Sequence, residues 1–510
     1  SGDTIYVDAG KYTYISEGSP VPAGLIKVTK GVVIKAVPET RPIIDGTGAD
    51  GVFKIHPSAL SDGNCVVIEG FEITGDPATG IAITMQGCYQ VTPAKVIIKD
   101  NWVHGMIAGI NFWGARNFLP PGSTGAVGNV EIYDNKFYNL GVSGSYEGCG
   151  VLLEDLLGWN YVGNDYAAKI YNNEFSNIYA KDASTPGAGI AMARADSVNE
   201  ASNMYIYNNK FMNLPIGVGV MDGDATYTKL RNNTFNTCSV AAVFTQNLDN
   251  SSKVDATLNW WGNASGPYHS TNSSGTGHDV SDNVTYSPWL GLDPGAMPLP
   301  EHMTYVVNAT STIQAAIDAA ISGDIVKVLN GTYSESVTLK NGVILSPGAS
   351  PACITVADLN AVSTGGTLLV EADGATPCTE YDQVTVTNTV DLSNVVLSLV
   401  LGYAPLSGGN YTIINNTSGN AITGTFTGLA EGAMLTAVFN SVTYTFQISY
   451  IGGTGNDVIL TYNDKVKVYT DNTKTTLVST HGTIQAAINA STTLAGYFVE
   501  VSAGTYTEQL

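Results

Sequence analysis

The residues best placed to do chemistry lie just past the second strand of successive repeats in the first half of the chain: Glu154 and Asp155, then Arg194 and Asp196, then Asp222 and Asp224. If the repeats stack at the roughly 4.8 Å spacing of paired strands, these residues form one stripe, with Asp155 and Asp222 about 10 Å apart. Carboxylates near that separation are what an inverting glycosidase needs, one to protonate the leaving oxygen and one to activate water. Trp113 or Trp159 could stack a sugar ring beside them. The competing readings are a calcium or glycan contact without catalysis, and a plain solvated edge.

Other candidates are fewer. Gly452–Leu460, GGTGNDVIL, fits the calcium-binding nonapeptide GGxGxDxUx. Calcium in that motif sits between neighbouring turns, so a single copy reads better as a tight hairpin turn, and no other cofactor is indicated. His269 and His278 lie in a Ser/Gly/Thr loop without partners at metal spacing, and the 6 cysteines contain no CxxC pair, so no metal site is assigned. Cys353 and Cys378 flank a strand pair and are a candidate disulfide in an oxidising compartment; Cys65 and Cys88 lie about one repeat apart and could stack, paired or free. Candidate glycosylation acceptors stand at Asn232, Asn250, Asn263, Asn272, Asn283, Asn308, Asn330, Asn410, Asn415, Asn416 and Asn489, none of them before residue 232.

What must position these residues is a repeat. Val130–Leu140, VEIYDNKFYNL, returns as VIIKDNWVHGM from Val96, AKIYNNEFSNI from Ala168, MYIYNNKFMNL from Met204 and TKLRNNTFNTC from Thr228. Alignment gives a column of Asn101, Asn135, Asn173, Asn209 and Asn233, flanked by Ile98, Ile132, Ile170, Ile206 or Leu230 on one side and Val103, Phe137, Phe175, Phe211 or Phe235 on the other. Inward strand positions recur every second residue, so a polar pair between apolar flanks requires a bend at the asparagine. Asparagine tolerates left-handed backbone and bonds nearby backbone groups. Stacked copies would let the amides bond one another as a ladder. Tyr133, Tyr171 and Tyr207 face outward and form an aromatic row, explained either by strand propensity or as an interface for glycans or a sister subunit. Successive copies from Asn135 lie 38, 36 and 24 residues apart, the shortest interval being a bare coil. Short strands at that period mean stacked units rather than a sandwich.

These repeats resemble the right-handed parallel β-helix proteins, a family that includes pectin-degrading enzymes, phage tailspikes and many prokaryotic surface proteins. The resemblance covers roughly residues 2–294, and ATLNWWGNASGP at Ala256–Pro267 is similar to a segment near the end of surface β-helices, with Trp260, Trp261 and Trp289 expected to plug the core. It implies the fold but not a function, and the NTD, paired DD and GHG motifs of the pectinases do not occur in register. Thr367–Tyr462 resembles the β-rich repeat beside passenger regions of large bacterial secreted proteins, which implies a secreted or cell-surface setting.

Composition excludes some classes. With 22 Lys+Arg against 44 Asp+Glu, a formal charge of −22 disfavours a nucleic-acid partner. Charged residues are only 13%, so the exterior must be polar and largely uncharged, which suits an extracellular protein. No apolar run approaches the roughly 20 residues of a membrane span. The opening SGDTIYVDAGKY begins inside a strand motif, as if an upstream segment had been processed.

That opening motif returns at Gly323–Tyr333 and Gly496–Tyr506, the later copies preceded by TIQAAIDAAIS and TIQAAINAST, short amphipathic helices with a threonine cap. The expected organisation is an all-β chain: a right-handed parallel β-helix over 1–300, a helix-capped start of a second β module over 301–350, a β-rich sandwich or solenoid-like domain over 351–462, and a third helix-strand start over 463–510. The leading functional expectation is a non-enzymatic extracellular structural protein, a subunit of a surface layer, sheath, filament or adhesin stalk. Its copies would join head to tail by docking Ile484, Ala487 and Ile488 onto the strand containing Ile5 and Val7. The alternative is a polysaccharide-active enzyme or glycan-binding adhesin using the acidic stripe.

Overall fold

In the computed structural model the described residues are 3–13, 26–49, 51–56, 58–59, 65–86, 95–113, 129–142, 148–154, 166, 168–182, 187–193, 204–223, 225–248, 252–295, 302–348, 351–362, 365–406, 408–490, 493–506 and 508. The chain divides into two compact units, Ser1–Pro300 and Glu301–Leu510.

The first unit is a right-handed parallel β-helix. Three parallel sheets run along it, of ten, eight and eight strands, and each coil contributes one short strand to each sheet in turn. In the central coils Lys95–Lys99, Asn129–Tyr133, Ala168–Tyr171, Met204–Tyr207 and Lys229–Arg231 lie side by side in the first sheet, with equivalent repeat positions in register. Inward columns are therefore made of like residues: Ile98, Ile132, Ile170, Ile206 and Leu230 are all sealed from solvent. Phe137, Phe175, Phe211 and Phe235 form a second inward column, with nearly parallel rings 5.0, 5.1 and 4.9 Å apart, and Trp261 continues the stack 5.2 Å beyond Phe235. Like residues stack because the period of the coil, not the identity of the neighbours, decides who meets whom.

The Phe column explains a glycine column opposite it. A Cβ on Gly150 would lie 2.5 Å from both the Gly189 carbonyl and Phe175 Cδ1, and Gly109 and Gly217 face equivalent rings as closely. Each ring fills the volume its glycine leaves empty.

The bend between first and second sheets works as the repeat requires, with one correction. The asparagines of the ladder are not the left-handed residues: that backbone is taken by the residue before each, Asp100, Asp134, Asn172, Asn208 and Asn232, with φ of 52–57°. Their short polar side chains make that conformation cheap and leave the following asparagine free to turn inward.

The second unit begins as another parallel stack. Thr304–Val307, Ile325–Val328, Ile344–Pro347, Thr367–Ala372 and Val396–Leu401 pair in one parallel sheet. Ser336–Leu339, Cys353–Ala361, Gln383–Val390 and Asn410–Asn416 pair in a second. Strands from both sides of residue 350 thus share sheets, and one core extends from Val307 to Tyr462. Pairing turns antiparallel where Asn410–Asn416 meets Asp457–Tyr462, which in turn pairs with Val442–Gly452. Cys353 and Cys378 are joined in a disulfide.

Two short helices, α1 (Ile313–Ala319) and α2 (Ile484–Asn489), are the same device used twice. Thr312 and Thr483 cap them through the N–H groups of Ala315 and Ala486. A distant glutamate completes each cap: Glu335 accepts from the N–H of Ile313 and Gln314, and Glu508 from those of Ile484 and Gln485. A carboxylate there meets two otherwise unpaired donors and the positive end of the helix dipole. No helix among the described residues is long and apolar enough to cross a membrane.

Candidate functional site

The buried asparagines form a continuous chain of amides. Asn173 Nδ2 donates to Asn209 Oδ1 at 3.0 Å and to the carbonyls of Ile132 and Tyr171 at 2.9 and 3.0 Å, while its Oδ1 accepts from Asn135 N and Nδ2. Asn101, Asn135, Asn209 and Asn233 repeat this pattern, all at most 1% exposed. The ladder runs one step further than the repeat alignment shows, to Asn259, whose Oδ1 accepts from Asn233. Asn259 lies outside the aligned copies because its coil has the sequence ATLNWW, in which Leu258 replaces the first residue of the polar pair. This column is structural.

The acidic stripe falls mostly outside the described residues: Asp155, Arg194, Asp196 and Asp224 are not among them, and of Glu154 and Asp222 only the backbone, at strand ends, is. Cys88, Trp159 and Asn250 also lie outside.

A different site stands on the outward face of the first sheet. There the residue two before each ladder asparagine gives the row Lys99, Tyr133, Tyr171, Tyr207, Arg231, and the residue four before gives Ile97, Glu131, Lys169, Tyr205, Lys229. The Tyr133, Tyr171 and Tyr207 rings are parallel within 7° and 4.7 Å apart, Tyr205 packs 4.4 Å from Tyr207, and Tyr166 4.9 Å from Tyr205. Because the rings cover one another's faces, what they present outward is edges and hydroxyls. Burial pushes the phenols of Tyr171, Tyr205 and Tyr207 above their usual value, so each keeps its proton and can donate.

Beside this row lies a concavity of about 450 Å³ lined by Tyr166, Lys169, Tyr205, Tyr207, Lys229 and Arg231. Arg231 is fixed there: its guanidinium pairs with the Asp255 carboxylate and donates to the carbonyls of Leu230, Asp255 and Thr257. Burial would raise the Asp255 carboxyl, but the Arg231 guanidinium and Thr257 outweigh it, and it sits below its ordinary value as a carboxylate. The repeat alignment singles out Tyr133, Tyr171 and Tyr207 but not the two lysines, which stand two residues earlier in the next outward column of the same copies.

The remaining candidates separate by burial. Asn272, Asn308 and Asn416 are buried at 6, 6 and 1% exposure, which corrects their reading as glycosylation acceptors, since an oligosaccharide transferase must reach the amide. Asn232, Asn263, Asn330, Asn410 and Asn489 are exposed, and Asn283 and Asn415 half-exposed. In GGTGNDVIL, Asp457 takes the N–H of Asn416 at 2.9 Å and closes the turn between two antiparallel strands. Among the described residues no three acidic, histidine or cysteine side chains converge as a metal site.

The docking surfaces are corrected as well. Ala487 is fully buried against Val466 and Val468, with Ile484 and Val499 packed alongside. The strand Phe498–Val501 pairs antiparallel with Val466–Tyr469. The last helix-strand unit therefore covers its apolar face with its own chain, leaving Ile488 exposed; Ile5 is exposed and Val7 half-buried on the first strand, which pairs with Val33–Ala36.

No protein-family model matches the sequence, and no curated protein does. A search of solved structures finds similarity to an alginate lyase of family PL6, at 10% identity over 81% of this chain and 71% of the other, with a TM-score of 0.24. The leading expectation from sequence, a non-enzymatic subunit assembling head to tail, is withdrawn, because the helix that was to dock on a neighbour is already packed against its own chain. The likeness is too distant to say anything of this chain's own activity.

Proposed function

We propose that the chain is an extracellular polysaccharide-binding β-helix that holds its ligand on the outward face of the first sheet without cleaving it. The observation that carries this is the row of nearly parallel tyrosine rings, their centroids 4.7 Å apart, leading into the 450 Å³ concavity. A surface whose hydrogen-bonding groups repeat at a fixed step suits a ligand that repeats too, and hydroxyl-rich chains offer donors and acceptors to such a row. Since the ring faces are occupied by one another, the row is not a stacking platform for bases or aromatic side chains. The disulfide between Cys353 and Cys378 and the low-charge exterior support an oxidising, extracellular setting.

The test is affinity electrophoresis of the protein through gels containing different polysaccharides, with a Tyr205→Phe, Tyr207→Phe variant that keeps the rings and removes their hydroxyls. Retention by at least one glycan, weakened in the variant, is expected. A parallel assay for new reducing ends and for unsaturated products should stay at background. Wild-type protein that no polysaccharide retards would refute the reading.

A further inference from the structure

We infer that the ligand of this site is an anionic glycan, one bearing carboxylate or sulfate groups, and that Lys169 and Lys229 select it. The inference rests on the proposed glycan-binding role and adds the chemical class.

Lys169 pairs with Tyr205 and Tyr205 with Lys229, so the two lysines flank one tyrosine, one coil before it and one after, about 10 Å apart along the helix. Both are half-buried, and both line the concavity. Neither ammonium takes part in an ion pair or hydrogen bond among the described residues. Among the described residues the carboxylates beside them in register are already engaged: Glu131, next to Lys169 in its column, pairs with Lys95 at 2.9 Å, and Asp255, next to Lys229, holds Arg231 and Thr257. Lys169, Lys229 and Arg231 thus line one concavity whose two neighbouring carboxylates, Glu131 and Asp255, are already paired, which leaves the two ammonium groups unanswered among the described residues of a chain whose formal charge is −22.

Such a concentration of positive charge on an acidic protein is costly unless something answers it. Charge elsewhere on the molecule does not, because exposed charges beyond about 10 Å are screened at 0.1 M salt. Phenolic hydroxyls between two ammonium groups offer hydrogen bonds to sugar hydroxyls and charge-assisted ones to acid groups set along the same chain. A nucleic acid would use the cations as well, but it also needs ring faces for its bases, and here those are covered by neighbouring tyrosines.

The experiment compares binding at low salt to a polyuronate, a sulfated glycan, a neutral glucan and single-stranded DNA, for the wild type, a Lys169→Gln, Lys229→Gln double variant and a Lys27→Gln control elsewhere on the surface. Expected are binding to one or both acidic glycans, a loss of about tenfold or more in the double variant at an unchanged melting midpoint, and weakening as salt rises. The two acidic arms tell carboxylate from sulfate recognition. Binding of the neutral glucan as tight as that of the acidic ones, and unaffected by the lysine changes, would overturn the inference while leaving the glycan-binding reading intact. Failure of every glycan would overturn both. DNA bound as tightly as the acidic glycans would make nucleic acid the partner and the inference wrong.

Discussion

Replacing Asn173 by leucine tests the idea that the amide ladder, more than the aromatic row, holds the β-helix together. The asparagine is 1% exposed and its amide takes part in five hydrogen bonds, three donated and two accepted. Leucine has similar bulk but leaves the Asn135 N–H and the Ile132 carbonyl without their side-chain partner inside the stack. At about 1–3 kcal/mol for each buried group left unmet, the loss is about 2–6 kcal/mol. Tyr171→Ser removes two ring contacts at 4.7 Å, worth about 0.5–1.5 kcal/mol each, from a half-exposed position where a serine can meet water. The asparagine variant should therefore lose roughly twice as much. All 6 tryptophans lie in the first unit, so the urea midpoint followed by tryptophan fluorescence reports on this unit alone. Asn173→Asp adds a control: it keeps the acceptors, loses the donors and buries a charge, so it should be as damaging as leucine near pH 7 and recover partly in acid as the carboxyl takes up a proton. Equal losses for Asn173→Leu and Tyr171→Ser, or a larger loss for the tyrosine change, would refute the reasoning.

The glycine column predicts a contrast between two alanines: Gly150→Ala puts a methyl 2.5 Å from a carbonyl oxygen and a ring carbon and should cost about 1–3 kcal/mol or more, whereas Gly219→Ala, whose new methyl meets nothing nearer than 3.8 Å, should be neutral or gain about 0.5 kcal/mol, both read from the tryptophan midpoint. Cys378→Ser opens the loop closed by the disulfide, whose ends are 25 residues apart, and should lower the stability of the second unit by about 3 kcal/mol, seen in the far-ultraviolet dichroism transition but not in tryptophan fluorescence. Asp382 is fully buried, with its carboxyl accepting from the N–H of Ala352 and Glu371, and burial raises it from 3.8 to about 7. The folded state thus holds its proton more tightly than the unfolded one. Its contribution is fully present below about pH 4 and fades as pH rises through about 7, by at most about 4 kcal/mol, and an Asp382→Asn variant should flatten that part of the stability profile of the second unit.

The fold of the first unit was legible because a solenoid converts sequence period directly into spatial neighbours. Once Asn101 through Asn233 align, the ladder, the isoleucine column and the phenylalanine stack follow from strand geometry and a repeated step, with no need to know how distant segments meet. The two helices were legible for a similar local reason, an apolar stripe behind a capping threonine. What the sequence could not decide depends on position in space. The left-handed corner falls on the residue before the ladder asparagine, because only that arrangement aims the amide at the coils on either side. Glu335 and Glu508 cap helices more than 20 residues away, a distance no local pattern reports. Whether α2 is bare or covered turned on the antiparallel pairing of Phe498–Val501, and parallel and antiparallel partners leave the same alternating signature in a strand. The site shows the division most clearly. Lys169, Tyr205 and Lys229 stand in plain columns of the alignment, yet a column does not say which neighbouring carboxylates are already spoken for. That required the Glu131–Lys95 and Asp255–Arg231 pairs to be seen in place, because charge is cancelled by proximity and not by sequence.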